Sequence, residues 1–298
     1  MDNSHRVCVC DFGLAQMKPR EVANLEYDPH GSPLYMAPEV FVGDYNEKCD
    51  VYSFGVVLWE MYTQSQAFAQ VSDNLPAFIT AVCDNNFRPE IPADCPEPLA
   101  QLMADCWQKN SRSRPSFEAI IPRLDQIAID VTISDRLGRK LWSEFFMGRD
   151  ETPWEEFKVA LCEVLHLSSS PPPSQYEIAF RCLEAVMAES PKDLMCKDQV
   201  VNIEKWASVC SWFGPVSTPD DGCNLLNSLQ KTLKQRWFHG DITQEEAEDR
   251  LLNQPKGTFL VRFSSSSPGC FTISHINKSK QLPEHRRQTS HALVSRTE

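Results

Sequence analysis

The chain has 298 residues, which exceeds the usual size of one domain and predicts two or three units that each bury a core. Its 41 acidic and 29 basic residues give a formal net charge of −12, which repels polyanions at long range and argues against nucleic acid as a partner. The longest apolar run, residues 51–59, is about half the length that a membrane-spanning helix needs, so no transmembrane segment is predicted.

The twelve cysteines follow neither a metal-binding nor a disulfide pattern. They are scattered, and no Cys-x-x-Cys motif is present. Charged residues interrupt every apolar stretch among the first twenty residues, so no secretory signal is predicted. These features favour the reducing cytoplasm.

Residues 1–129 carry short motifs in a fixed order. The motifs are Asp11-Phe12-Gly13, Ala37-Pro38-Glu39, Asp50-Val51-Tyr52-Ser53-Phe54-Gly55, and Cys106-Trp107 with Arg114-Pro115. In this order and spacing they resemble the second half of a protein kinase domain. Helical spacing around them predicts a helix over residues 51–62 that is apolar on all sides and therefore buried, an amphipathic helix over 98–108, and a third helix after residue 116.

The kinase resemblance implies a mainly α-helical C-terminal lobe and assigns roles to several residues. Asp11 matches the carboxylate that holds magnesium on the phosphates of ATP, and Phe12 is expected to pack behind it. Glu39 is expected to form a buried bidentate pair with Arg114, a geometry that arginine provides and lysine does not. Ser32 lies in the loop on the substrate side, in a segment that resembles serine/threonine kinases.

Other motifs imply mixed specificity and an incomplete nucleotide site. The helix that begins with Asp50 looks closer to tyrosine-kinase-like enzymes, so the resemblance implies serine/threonine or dual specificity. The glycine-rich phosphate loop, the strand lysine and the catalytic base belong upstream of Asp11, where only ten residues stand. We therefore expect that these 298 residues include no catalytic residue and that this chain alone carries out no phosphotransfer. We also expect that the sequence is truncated at both ends.

The sequence of residues 130–235 predicts an α-helical connecting region. Apolar residues repeat at helical spacing throughout, and a Ser/Pro-rich stretch over 168–174 has the composition of a linker. Thr152-Pro153-Trp154-Glu155 has the form of a capping box, with Thr152 as the residue that caps the following helix.

Residues 236–298 change character again. Trp237-Phe238-His239-Gly240 precedes a predicted helix, and Gly257-Thr258-Phe259-Leu260-Val261-Arg262-Phe263-Ser264 and Phe271-Thr272-Ile273-Ser274 predict two strands. This order resembles the first part of an SH2 domain, an α+β fold of which only the N-terminal part is expected here.

Arg262 is the principal candidate binding residue of this last region. An arginine inside an apolar run is costly unless a partner neutralises it, and a phosphate dianion would do so through two parallel hydrogen bonds. An internal salt bridge is the alternative. The resemblance implies that Arg262 binds phosphotyrosine, that Gln244 replaces a helix-borne arginine of many SH2 domains, and that His285 is a candidate to orient the phosphotyrosine ring. It also implies hydroxyls and backbone amides from the following loop: Ser264, Ser265 and Ser266.

The whole pattern, a kinase region first and an SH2 region last, resembles the SHK-type dual-specificity kinases. The resemblance implies transfer of the ATP γ-phosphate to protein hydroxyls with Mg as metal, protein substrates, and phosphotyrosine-containing partners. It favours a cytoplasmic protein and leaves open recruitment to membranes through those partners. The alternative is a phosphotyrosine-binding adaptor or a pseudokinase remnant in which only recognition survives.

Overall fold

The computed structural model describes residues 9, 10, 12, 32–167, 174–187, 199–267, 269–276 and 289–295. The chain divides into two compact units, Met1–Ile127 and Ala128–Glu298. The boundary between them falls inside one helix, Phe117–Thr132. Within the described ranges, no helix is both long and apolar enough to cross a bilayer.

The first unit is built from helices. Two 3-10 segments, Pro33–Tyr35 and Pro38–Val42, precede α1 (Lys48–Thr63). The remaining helical elements are α2 (Leu75–Ile79), which continues into a π-helical turn (Thr80–Asp84), α3 (Glu97–Cys106), a 3-10 turn (Ser111–Ser113) and α4 (Phe117–Thr132). Helix α1 lies so close to α3 that a Cβ added at Gly55 would stand 2.8 Å from the Cβ of Cys106.

Helix α1 buries one side and exposes another. Val51, Tyr52 and Val56 are buried, whereas Val57 and Met61 are 41% and 65% exposed. The expectation of a helix buried on all sides is therefore wrong for the face that carries Val57 and Met61. Composition alone misled here, because apolar residues around a whole helix do not show which of them finds a neighbour.

The second unit begins with a helical region whose helices share one aromatic core. Its elements are α5 (Arg136–Phe145), β1 (Glu151–Pro153), α6 (Trp154–Val164), α7 (Glu177–Met187), β2 (Val200–Asn202), α8 (Ile203–Phe213) and α9 (Asn224–Leu233). Phe157 lies at the centre of the core, with its ring centroid 5.1 Å from that of Trp206 and 6.4 Å from that of Trp142. The indole of Trp206 also donates a buried hydrogen bond to the carbonyl of Gly138 at 3.2 Å.

Thr152 is not a helix cap. It lies in β1, where it pairs with Val201 in the antiparallel β1–β2 ribbon. Helix α6 starts at Trp154, its N-cap is Pro153, and no side chain caps it. The capping-box prediction is wrong because strand pairing with a distant segment fixes the backbone of Thr152 in an extended conformation.

The C-terminal part of the second unit is a three-stranded antiparallel sheet with one helix. Strands β3 (Phe259–Phe263), β4 (Phe271–Ile276) and β5 (Thr289–Val294) lie in this order. Helix α10 (Gln244–Leu251) begins with a capping box between Thr243 and Glu246. It shares a small apolar cluster with one face of the sheet: Ile242, Ala247, Leu251, Leu260 and Ile276.

The opposite face of this sheet joins the core of the helical region. Phe263 is a buried member of that core, and Phe238 and Phe271 pack against it. Because neighbouring residues of a strand point to opposite faces, Phe263 lies on the helical-region side while Arg262 lies on the α10 side. The helical region and the sheet thus fold around one continuous core.

Candidate functional site

In the first unit, Glu39 and Arg114 form the bidentate pair that the sequence predicted. Nη2 of Arg114 donates to Oε2 of Glu39 at 2.9 Å, and Nη1 donates to Oε1. The Arg114 side chain is fully buried, and that of Glu39 is 14% exposed. Arg114 also donates from Nε to the carbonyl of Gln108 and from Nη1 to that of Lys48, each at 2.9 Å. This one guanidinium therefore joins its own segment to Glu39 and Lys48, which lie 75 and 66 positions earlier in the sequence.

Tyr52 provides the surface on which two guanidiniums lie. Arg88 and Arg114 stand 5.0 and 5.1 Å from its ring centroid, at the distance of a cation–π contact. Burial raises the pKa of the Tyr52 hydroxyl to about 12. Two polar atoms of this cluster, the Tyr52 hydroxyl oxygen and Nη2 of Arg88, are buried without a hydrogen-bond partner among the described residues, so the cation–π contacts are their main compensation.

Ser32 is exposed and immediately precedes the first 3-10 segment. Its carbonyl accepts from the backbone N–H of Tyr35 at 3.2 Å, and the Tyr35 carbonyl accepts from the hydroxyl of Ser53 at 2.7 Å. The Tyr35 hydroxyl donates to Glu60 at 2.9 Å. Helix α1 therefore holds the segment that follows Ser32, and the Ser32 side chain stays accessible.

The predicted magnesium carboxylate, Asp11, lies outside the described residues. Its neighbour Phe12 is 68% exposed, and the expectation that this ring packs behind Asp11 stays a prediction. Among the described residues, no group of three or more His, Cys, Asp or Glu side chains could hold a metal ion.

In the second unit, Arg262 is a buried cation with poor internal compensation. It is 4% exposed, and its Nη1 makes only long contacts to the carbonyls of Ile242 at 3.5 Å and Phe263 at 3.3 Å. Its Nε is buried and has no hydrogen-bond partner among the described residues. No carboxylate of a described residue forms an ion pair with it, so the predicted alternative of an internal salt bridge is not seen. A buried guanidinium with spare donors is suited to receive an anion.

The loop after Arg262 is rich in hydroxyls. Ser264 is buried, and its Oγ accepts from the backbone N–H of Ser267 at 3.1 Å and lies 3.3 Å from Oγ of Ser266. Ser265 and Ser266 are exposed. The role of these serines beside Arg262 stays a prediction.

His291 is a candidate residue that the sequence did not reveal. It pairs with Ser274 across β4 and β5, and its Nδ1 lies 2.8 Å from the Ser274 hydroxyl. Its Nε2 lies 3.1 Å from Oε1 of Glu248 on α10, which also accepts from Nε2 of Gln244 at 2.9 Å. The hydrogen bond from Gln244, and then that from His291, lower the pKa of Glu248.

This polar row lies beside Arg262 on the α10 side of the sheet. Ser274 pairs with Leu260, and Thr272, two residues earlier in β4, pairs with Arg262. The predicted histidine, His285, lies outside the described residues. The alternation of residues along β5 could have indicated that His291 faces α10. The sequence alone, however, does not show which residues of β4 and β5 lie opposite each other.

Comparisons with known proteins agree with both halves of the molecule. Residues 1–124 match the family model described as protein tyrosine and serine/threonine kinase, and residues 237–298 match the SH2 domain model. This confirms the predicted fold class of a kinase C-terminal region followed by an SH2 domain.

Several similar curated proteins come from Dictyostelium discoideum. Dual specificity protein kinase shkC is 44% identical over 285 residues, which cover 93% of this chain and 56% of that protein. Dual specificity protein kinase shkA is 38% identical over 303 residues, which cover 96% of this chain and 57% of that protein. Dual specificity protein kinase shkD is 37% identical over 296 residues, which cover 96% of this chain and 38% of that protein.

The chain thus spans about half the length of the first two relatives. The kinase and SH2 matches follow the same order as the motifs along the sequence. The chain therefore combines sequence of the protein kinase family in residues 1–124 with an SH2 domain in residues 237–298.

Proposed function

We propose that the whole protein is a dual-specificity protein kinase that uses ATP and Mg to phosphorylate serine, threonine and tyrosine hydroxyls of other proteins. The printed names of its relatives and the match of residues 1–124 support this proposal. So does the Glu39–Arg114 pair, because it ties the substrate-side segment to the helical lobe. Asp11 is the proposed magnesium ligand, and Ser32 is the proposed residue of the substrate-side loop.

The kinase proposal is tested on the whole protein with radiolabelled ATP and a mixed Ser/Thr/Tyr peptide substrate. Replacing Asp11 by asparagine removes the carboxylate charge while keeping the side-chain volume, so phosphotransfer should fall by at least about 10²-fold, in line with the loss of one transition-state charge contact. The matched control is Asp73→Asn, at an exposed carboxylate between α1 and α2, and it should keep the activity of the unchanged protein. Activity of the Asp11 variant equal to that of the unchanged protein would refute the role of Asp11, and no phosphotransfer by the unchanged whole protein would refute the kinase proposal and favour the adaptor function.

The SH2 part is proposed to bind phosphotyrosine-containing proteins through Arg262, with Ser264, Ser265 and Ser266 donating to the phosphate. The observation that carries this proposal is the buried Nε of Arg262 without a partner. A charged group in such a position lowers stability, and a protein keeps it when a ligand supplies the missing partner. A cytoplasmic location, with recruitment to membranes by phosphotyrosine partners, belongs to the same proposal.

Replacing Arg262 by methionine separates a binding role from a structural one. Methionine has a similar length and no charge, so the variant should be at least as resistant to urea as the unchanged chain. Binding of a degenerate phosphotyrosine peptide library, measured by fluorescence anisotropy, should fall by about 10²-fold or more because charge-assisted bonds to phosphate are lost. The control is Arg181→Met, at an arginine whose side chain is 75% exposed. Retained binding together with a large loss of stability would refute the proposal.

A further inference from the structure

The loop that follows Arg262 is closed at its base by backbone hydrogen bonds. We call residues Ser264–Ser267 the serine loop; the chain returns from it through Gly269 and Cys270. The N–H of Ser264 donates to the carbonyl of Cys270 at 3.0 Å, and the N–H of Cys270 donates to the carbonyl of Ser267 at 3.2 Å. The position of Cys270 therefore fixes where the serine loop stands relative to Arg262.

Helix α8 of the helical region contacts this base directly. The indole N–H of Trp212 donates to the Cys270 carbonyl at 3.0 Å, so that one carbonyl accepts from both Trp212 and Ser264. The Trp212 ring also stacks on Phe263, the residue between Arg262 and the serine loop, with centroids 3.9 Å apart and planes at 21°. Trp212 thus holds both strands from which the loop emerges.

A second contact lies one residue earlier on the same helix. The hydroxyl of Ser211 lies 3.5 Å from the Gly269 carbonyl. Gly269 has a φ of +79°, and a Cβ added there would stand 2.7 Å from the Ser211 Cβ and 2.4 Å from its Oγ. Only glycine allows the returning chain to lie this close to α8.

Helix α8 is itself held firmly at this position. Trp206 and Phe213, on the same helix, are buried in the core of the helical region, and Trp212 is only 9% exposed. The serine loop therefore rests on a rigid support that lies outside residues 237–298. A loop held in advance in its binding conformation binds more tightly, because less ordering entropy is lost on binding.

We propose that Trp212 is a positioning residue for phosphotyrosine recognition, and that α8 and the SH2 domain together form the binding unit. This inference rests on the proposed function of Arg262. Trp212 does not touch the phosphate; its indole N–H and ring fix Cys270 and Phe263, and these fix the serine loop. The proposal adds a residue of the helical region to a recognition site that the SH2 match alone would confine to residues 237–298.

The test uses the 298-residue chain and two matched tryptophan variants. Trp212→Phe keeps an aromatic ring on Phe263 and removes the donor to Cys270. Trp142→Phe removes a comparable indole donor, the one to the carbonyl of Arg149, in the same core but on α5 rather than on α8. The probes are a degenerate phosphotyrosine peptide library, read by fluorescence anisotropy, and phenyl phosphate, read by NMR titration.

We expect Trp212→Phe to weaken the binding of both probes by about tenfold and to speed hydrogen exchange in the serine loop, since one buried hydrogen bond is lost. Trp142→Phe should leave affinity and loop exchange unchanged. The inference would be overturned if both tryptophan variants lost the same affinity. It would also be overturned if Trp212→Phe lost none while Arg262→Met abolished binding, and the proposed function would then still stand. Absence of binding by the unchanged chain would instead overturn the proposed function.

A third variant keeps the test decisive if Trp212→Phe does not fold. Gly269→Ala leaves α8 intact and pushes the returning chain away from Ser211, so it should weaken binding of the same probes at least tenfold. Adding Ser211→Gly removes the atoms that the new methyl group meets and should restore part of the affinity. No loss from Gly269→Ala, or no recovery in the double variant, would contradict the role of α8.

Discussion

Replacing Arg114 by lysine tests whether the planar fork of arginine, rather than its charge, holds the first unit together. Lysine retains the positive charge but cannot make two parallel bonds to Glu39 and also reach the carbonyl of Gln108. The variant loses one charge-assisted bond, worth about 1.5–3 kcal/mol, and one partly buried bond to the backbone carbonyl of Gln108, worth about 1 kcal/mol. The expected total of about 3 kcal/mol corresponds to an increase of about 10²-fold in local opening.

Hydrogen-exchange mass spectrometry is the suitable assay, because it reports the first unit separately from the second. Peptides that cover Pro38–Val42 and α1 should exchange about 10²-fold faster in Arg114→Lys, given the 3 kcal/mol estimate. Arg112→Lys, at an exposed arginine two residues away, is the control and should change nothing. If the two variants behave alike, the reasoning from bidentate geometry is refuted.

Two further predictions concern close packing and pH. Gly55→Ala should destabilise the first unit by about 1–3 kcal/mol, measured by exchange in α1 and α3, because its new methyl group meets Cys106; wild-type exchange would contradict this. The pKa of Glu248 is held below its usual value of 4.5 by Gln244 and His291, so the stability that this carboxylate contributes is present above that pH and is lost as the pH falls through its folded pKa. When the pH is lowered below about 4.5, the urea concentration at the unfolding midpoint of the second unit should therefore decrease, and it should decrease less in Glu248→Gln. Identical pH profiles of the variant and the unchanged chain would refute this role of Glu248.

The sequence predicted best where a short motif carries its own geometry. Glu39 and Arg114 were paired correctly over 75 positions because the ordered motifs identify the kinase lobe and arginine is the residue that suits a buried carboxylate. The burial of Arg262 followed from its place in an apolar strand. In both cases the residue type and its immediate neighbours limit the possible environments.

Prediction failed where a distant segment decided the outcome. Thr152 fits a capping box locally, but pairing with Val201 makes it a strand residue. His291 was missed because strand register depends on which residues lie opposite, and the sequence alone does not give that correspondence. The contact of Trp212 with Phe263 was not predicted either. From the sequence, Trp212 could equally have packed within the helical region alone, and Phe263 within the SH2 domain alone.

The shared core of the helical region and the sheet limits how this SH2 domain can be moved or reused. A segment cut at Trp237 would present Phe238, Phe263 and Phe271 to water, and exposed aromatic patches of this kind promote aggregation. Domains that recombine freely between proteins normally end in exposed linkers crossed by few contacts. If this SH2 domain were transferred to another protein, α8 would have to be transferred with it.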